Sequence, residues 1–450
     1  MGASTKPQSG APIDRAEPRR SVWTTRGPDA WPSPPNRMSY TALRDIETCP
    51  LRWGLRHGEY AGLWSGVGYP PSPAGATIAG QVVHVTLERI VEAVGAAREA
   101  QSGDEAMGDP MILVVGALRA LGGISAVLEG VIRETVDSWE SNPRLQPRAK
   151  ELASDLQRQL SVLRPRVQHF LNSVDLARIR PGRRDGGVSS RSDVPDNSAR
   201  PLAPGLYAEV PLVNDELGWY GKADLLRVSA SAAADDDSEI VDFKTGLPKP
   251  DHALQLRIYA LLWAREKRRN PTGRRVRKLT VLYGSGPAEV PAPATDAELE
   301  SVAHELAERT ARVRAAIQQH PPVARPSREA CEWCDVRQMC PAYWAPATRG
   351  LIARSQDPPR HQVDVSVQIL QKQGAWSWIA RVQEVGALSE DVSIGARVLL
   401  RARPYDVHFA SLMGAGARLR IVAAQLVPAS EESGGLPVLS LTRSTEAFTV

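Results

Sequence analysis

The sequence predicts an α/β domain with a helical insertion ahead of its sheet, followed by an all-β barrel. Three observations carry that prediction. Short apolar runs at 206–211, 221–228 and 239–246 have strand composition and follow one another closely. The run 252–266 then places Leu254, Ile258, Leu261 and Leu262 at helical spacing, and 279–284 is a further strand, completing a strand–helix–strand unit. Beyond residue 361, alternating strands separated by Gly, Ser and Pro replace that pattern.

The totals are those of a globular chain. At 450 residues, two or three domains are expected, and 42% apolar with 24% charged residues is enough to build their cores. No run of 18 apolar residues occurs, so no membrane partner is expected. The first residues lack the apolar segment of a secretory signal, which favours a cytoplasmic location. A net charge of +4 is too small to establish nucleic-acid binding by itself. Four cysteines in so long a chain argue for metal or catalytic use rather than a disulfide framework.

Taken in order, residues 1–37 are rich in Pro, Ser, Gly and Arg without periodicity and read as a disordered tail. A first domain is expected over 38–345. Ser39 or Thr41 caps a short helix with Leu43 and Ile46 on its apolar side, and Cys49-Pro50 ends it. Residues 75–95 form a helix with Val83, Leu87, Ile90 and Val91 toward the core, and His84 lies among them. A helical insertion spans about 92–180, with helices at 110–121, 124–139 and 149–176. Stretches 181–205 and 229–238 are polar loops.

The chemistry is concentrated around the predicted sheet. Asp224 and Asp242, on neighbouring strands, can hold a divalent cation such as Mg²⁺ through oxygen ligands. Lys244 is two residues beyond Asp242 and leaves the same strand face. Carboxylates holding metal beside an ammonium suit attack by water on a phosphodiester. D-x-K alone is also what an ordinary half-exposed strand shows; the neighbouring G-x-x-D and Q-x-x-x-Y favour a site. Gln255 and Tyr259 stand one helical turn apart and face the same way.

Gly221-x-x-Asp224, Asp242-Phe243-Lys244-Thr245-Gly246 and Gln255-Leu256-x-x-Tyr259-Ala260 resemble the consecutive core motifs of RecB-type PD-(D/E)XK nucleases. Gly80-x-x-x-His84-x-x-Leu87-Glu88 is similar to the first motif of that family. The resemblance implies a restriction-endonuclease-like α/β core and a DNase that uses Mg²⁺ or Mn²⁺. Asp224 and Asp242 would be metal ligands, His84 a third ligand or close neighbour, and Lys244 the catalytic lysine. Gln255 and Tyr259 would position DNA or the lysine. Glu209 matches an acidic position on the preceding strand, a further metal-site residue, and Glu88 reads as structural. The implied substrate is DNA, single-stranded or with a free end, cleaved as an exonuclease in repair or recombination. Phage defence, CRISPR adaptation and a non-catalytic DNA-binding or assembly subunit are the competing readings. No P-loop motif occurs, so any helicase would be a separate partner.

Cys331, Cys334 and Cys340 form C-x₂-C-x₅-C, with Cys49 far upstream. Four thiolates are the number a 4Fe–4S cluster takes, and zinc accepts four cysteines as well. Together with Cys49-Pro50-Leu51-Arg52-Trp53, this distribution is similar to that of AddB-type and CRISPR-adaptation nucleases with an iron–sulfur cluster. Such a cluster would tie the N-terminal helix to the end of the nuclease domain. Arg144, Arg148, Lys150, Arg164 and Arg166 either line a DNA path or sit on solvated helix faces. The basic run from Arg265 to Lys278 is a phosphate-backbone patch or a solvated turn. Residues 361–450 give three strands, a helix and two strands, the order of an OB barrel. There Trp376, Trp378, Tyr405 and Phe409 stack bases or fill the core.

Overall fold

The computed structural model describes residues 21–100, 110–174, 200–229, 238–284, 286–293, 295–349, 362–389, 392–402 and 407–450. A five-stranded mixed sheet forms its first layer: β1 (Gly205–Asn214), β2 (Trp219–Val228), β3 (Glu239–Lys244), β4 (Lys278–Tyr283) and β5 (Gly286–Val290), in that spatial order. Neighbours are antiparallel except β3 and β4, which run parallel because α8 (Asp251–Ala264) crosses between them. The strand β5 was not anticipated. Its sequence, Gly-Pro-Ala-Glu-Val, is half exposed and poor in β-branched residues, and it forms by pairing with the edge of β4.

Each face of this sheet is covered by helices. On one face lie α1 (Tyr40–Thr48), α8 and α9 (Asp296–Gln318), sharing a core with Trp219, Leu226, Ile240, Leu261 and Trp263. Trp219 donates its indole N–H to Thr310 at 3.1 Å, so β2 and α9 are pinned by one satisfied buried polar group. On the other face lies α3 (Gly75–Ala100), whose Val83, Leu87, Ile90 and Val91 are buried as their spacing predicts. Burying side chains of this size stabilises by roughly 1.5–3 kcal/mol each, which holds a long helix of weak amphipathicity in place.

The insertion follows as α4 (Pro110–Ala120), α5 (Gly123–Ser138), α6 (Ala149–Arg158) and α7 (Leu160–Asn172). The single helix expected over 149–176 is two, broken at Gln159. Arg144 and Arg148 do not line an open path. Arg144 is 1% exposed and pairs with Glu446 at 2.6 Å, and Arg148 contacts Ser72 and the Arg443 carbonyl.

Residues 1–20 of the expected disordered tail lie outside the described residues, as do 181–199 and 230–237 of the polar loops. Residues 21–37 correct that expectation, because they pack. Val22 is buried, and bridges join Thr24 to Thr449 and Ala30 to Glu59. The tryptophans at 23 and 31 supply the apolar area that a composition count dilutes.

Short helices α2 (Pro50–His57), α10 (Arg328–Glu332), α11 (Pro341–Trp344) and α12 (Pro346–Arg349) join the ends of this domain. The C-terminal sheet comprises β6 (Gln362–Gly374), β7 (Ser377–Val385), β8 (Arg397–Arg401), β9 (Arg418–Val427), β10 (Val438–Ser440) and β11 (Glu446–Thr449), with α13 (Val407–Leu412) after β8. The order is β10-β8-β7-β6-β9-β11, with β10 also paired to β9 and parallel to β8. Trp378 and Phe409 are buried in its core and Trp376 packs against it, so these three aromatics do not form an open stacking surface. Tyr405 lies outside the described residues. Asp364 fixes this sheet to the first domain, binding the Arg337 guanidinium at 2.6 Å and accepting the Tyr343 hydroxyl at 2.5 Å.

Candidate active site

Three carboxylates stand in one row across β1, β2 and β3. The β1–β2 register pairs Ala208 with Leu225 and Val210 with Ala223, which sets Glu209 opposite Asp224. The β2–β3 register ends at Leu225–Val241, and its next step sets Asp224 opposite Asp242. The row coincides with a slip in β1 and β2. Ala208 and Leu225 pack toward α3, whereas Val210 and Ala223 pack toward α8. Glu209 takes φ of 50° at this point, a conformation that costs a non-glycine residue of the order of 1 kcal/mol or more. The strand turns over there, and strict alternation cannot describe it.

Geometry ties the two aspartates to one spot. Asp224 Oδ2 accepts the Phe243 backbone N–H at 2.7 Å, the peptide between Asp242 and Lys244. His84 Nδ1, from α3, is 3.8 Å from the same oxygen. Lys244 Nζ lies 2.6 Å from Asp242 Oδ2, an ion pair that lacks hydrogen-bond directionality, so that buried oxygen has no directed donor. Burial, then the charges of Asp242 and Glu209, hold the Asp224 carboxyl well above the usual carboxylate range. Burial raises the Asp242 carboxyl too, and Lys244 offsets part of the rise. Burial lowers the proton affinity of His84, keeping a neutral imidazole.

Two glycines make this convergence possible. A Cβ on Gly221 would stand 2.6 Å from Tyr259 Cε1, and one on Gly80 would stand 2.8 Å from Thr245 Oγ1. The first lets α8 press against β2, and the second lets α3 press against the turn after Lys244. Gln255 Nε2 donates to Tyr259 Oη at 2.8 Å on the buried face of α8. Glu209 is engaged by Lys222, which also reaches Glu88 at 3.6 Å. Lys222 was missed by sequence reasoning, although it lies two residues before Asp224 and so shares its side of the strand.

Among the described residues, no three His, Cys, Asp or Glu side chains stand as a closed metal-ligand set. The donors present nevertheless fit a hard divalent ion. They are oxygen-rich, they carry mutually repelling buried charge, and Asp242 Oδ2 is a buried acceptor without a directed donor.

The four cysteines are free thiols lining one pocket, together with Arg52, Arg337 and Tyr343. Cys49 begins α2, and its Sγ accepts backbone N–H groups of Arg52 and Arg325 at 3.5 Å each. Burial pushes the Cys334 thiol up to about 12 and Cys340 up to about 11. In the basic run, Arg265, Lys267, Arg275 and Lys278 are occupied by Glu300, Glu216, Asp296 and Glu289. Exposed pairs of this kind are weak, and they leave a less positive surface than the residue count suggests.

A buried acid row with lysine ammoniums beside it, on a mixed sheet flanked by helices, is the frame of a metal-dependent hydrolase. The family model described as the PD-(D/E)XK nuclease superfamily matches residues 37–341, and the chain belongs to that superfamily. Membership brings metal-dependent hydrolysis of phosphodiester bonds. No curated protein matches the chain. Among the described residues, no single helix is long and apolar enough to cross a membrane.

Proposed function

We propose that the chain is a DNA exonuclease acting on single strands or free ends, in repair or recombination, with its site at Glu209, Asp224, Asp242, Lys244 and His84. The observation that carries this reading is the meeting of Asp224, Asp242, Lys244 and His84 through contacts of 2.6–3.8 Å. Asp224 and Asp242 would hold Mg²⁺ or Mn²⁺, with His84 alongside and Glu209 at the end of the row. The metal, when bound, lowers the pKa of its water and stabilises charge on the phosphorane-like transition state. Lys244 orients the attacking water or bonds a non-bridging phosphate oxygen from its place beside Asp242. Gln255 and Tyr259, hydrogen-bonded to each other, brace the row from α8. Asp242 is 1% exposed, which supports a threaded single strand over an intact duplex as substrate.

Two further parts belong to this reading. The cysteine pocket takes a 4Fe–4S cluster on Cys49, Cys331, Cys334 and Cys340, a structural staple whose negative charge Arg52 and Arg337 offset. The C-terminal sheet is an OB-like barrel. In support, its pairings run β6-β7-β8-β10-β9 and return to β6, with β8 and β10 parallel. A helicase, if one is needed to supply strands, is a separate cytoplasmic partner.

The test is cleavage of end-labelled single- and double-stranded DNA with Mg²⁺ or Mn²⁺, beside Asp242→Ala and Lys244→Ala. Loss of cleavage in both variants supports the site; cleavage unchanged in either rejects it. For the cluster, anaerobically purified protein is expected to be brown and Cys49→Ser colourless. A colourless wild type with stoichiometric zinc overturns the assignment.

A further inference from the structure

The helix that carries Gln255 and Tyr259 carries a third polar group on the same face. His252, Gln255 and Tyr259 occupy positions i, i+3 and i+7 of α8, a single stripe. Gln255 and Tyr259 are buried and bonded to each other, whereas His252 is half-buried at the start of the stripe. That end of α8 meets the carboxyl ends of the parallel strands β3 and β4, where Lys244 and Tyr283 are register partners.

His252 is held there from behind. Its Nδ1 is 2.7 Å from the Tyr283 hydroxyl, and the two rings lie 5.7 Å apart. In one of the two tautomers open to this pair, the Tyr283 hydroxyl donates to Nδ1. Tyr283 is in turn fixed in the core, and its carbonyl meets His169 Nε2 from α7 at 3.2 Å. With Nδ1 accepting, the hydrogen of a neutral imidazole sits on Nε2, which takes no protein partner among the described residues. Burial, then the charges of Lys244 and Lys249, lower the proton affinity of His252. The nearest acid, Asp251, is already engaged by Arg44.

We propose that His252 is a substrate-positioning residue: its Nε2–H, oriented by Tyr283, donates to a backbone phosphate of the bound strand next to the phosphate at Lys244. This rests on the nuclease reading above. Three donors of two kinds, the ammoniums of Lys244 and Lys249 and the imidazole N–H, then grip successive phosphates where the strand crosses the end of the sheet. The imidazole adds a directional bond where the lysines supply charge.

The experiment compares His252→Ala, His252→Gln and Tyr283→Phe with wild type on a labelled single-stranded oligonucleotide. Binding is read by anisotropy in EDTA, where the strand stays intact, and cleavage by steady-state rates with Mn²⁺. The amide of Gln places an N–H near the imidazole Nε2. A charge-assisted hydrogen bond predicts that His252→Ala raises Kd and KM about tenfold to a hundredfold with kcat little changed. His252→Gln recovers most of that loss, and Tyr283→Phe moves in the same direction by less. Equal loss in His252→Ala and His252→Gln, or a fall in kcat alone, overturns the proposal. Unchanged Kd and KM in His252→Ala overturns it too, whether or not the enzyme cleaves. Absence of cleavage from wild type, with Kd still dependent on His252, leaves this contact standing and removes the nuclease reading instead.

Discussion

Replacing Gly221 by alanine tests the packing that brings α8 against the acid row. The added Cβ would lie 2.6 Å from Tyr259 Cε1 and 2.9 Å from Cδ1, against about 3.5–4.0 Å for carbon atoms in contact. The ring must therefore retreat by about 1 Å. Tyr259 is 7% exposed and enclosed by the core, so it has little room to do so. Overpacking of this kind costs about 1–3 kcal/mol. Gly221 does not use a positive φ, and alanine restricts the unfolded chain, which returns about 0.4–1 kcal/mol. The net expectation is a destabilisation of about 1–2 kcal/mol, read from the denaturant midpoint at constant m. On the proposed reading, activity falls further than stability, by about a hundredfold, because the displaced ring pulls on the 2.8 Å bond to Gln255 on the helix that backs the acid row. A Gly221→Ala protein with wild-type midpoint and wild-type cleavage would refute the packing argument.

Asp224→Asn is expected to stabilise the protein in EDTA while removing the rise in melting temperature that Mn²⁺ gives the wild type. The sign follows from the raised carboxyl: its ionised form is disfavoured in the fold, so stability drops as pH rises through the folded value. Glu446→Ala leaves the fully buried Arg144 guanidinium unpaired and is expected to cost about 3–5 kcal/mol, measured by chemical denaturation. Burial pushes the Asp364 and Glu446 carboxyls up, but Arg337 and Arg144 outweigh it and hold both below the ordinary range. Their contribution is complete above the unfolded carboxylate range, about 3.9–4.3, and is lost as pH falls through it toward the folded values. Limited proteolysis across that interval should release the C-terminal sheet at higher pH in Asp364→Asn than in wild type.

The strands around the site were legible because short apolar runs of strand composition follow one another closely there, and α8 because its leucines follow a helical period. The pairing of Asp224 with Asp242 was legible too, since neighbouring strands bring their polar exceptions together. Glu209 shows where that reasoning stops. Its positive φ and the turnover of both strands come from the acid row and its packing, which no local pattern encodes. The tail from residue 21 was misread because its composition is polar on average while Val22, Trp23 and Trp31 do the packing. Arg144 and Arg148 were read as surface charge because their partners, Glu446 and Ser72, lie far away in sequence. His252 was within reach: it stands three residues before Gln255 on a helix already assigned. The role of Tyr283 behind it needed the parallel pairing of β3 and β4.

On the proposed reading, a single cation is gripped between the second and third strands of the nuclease sheet. Anomalous diffraction from crystals soaked in Mn²⁺ addresses it without reference to activity. The expected result is a peak bonded to carboxylate oxygens of both Asp224 and Asp242, absent in Asp242→Asn. Manganese bound elsewhere, with those two carboxylates bare, would contradict it.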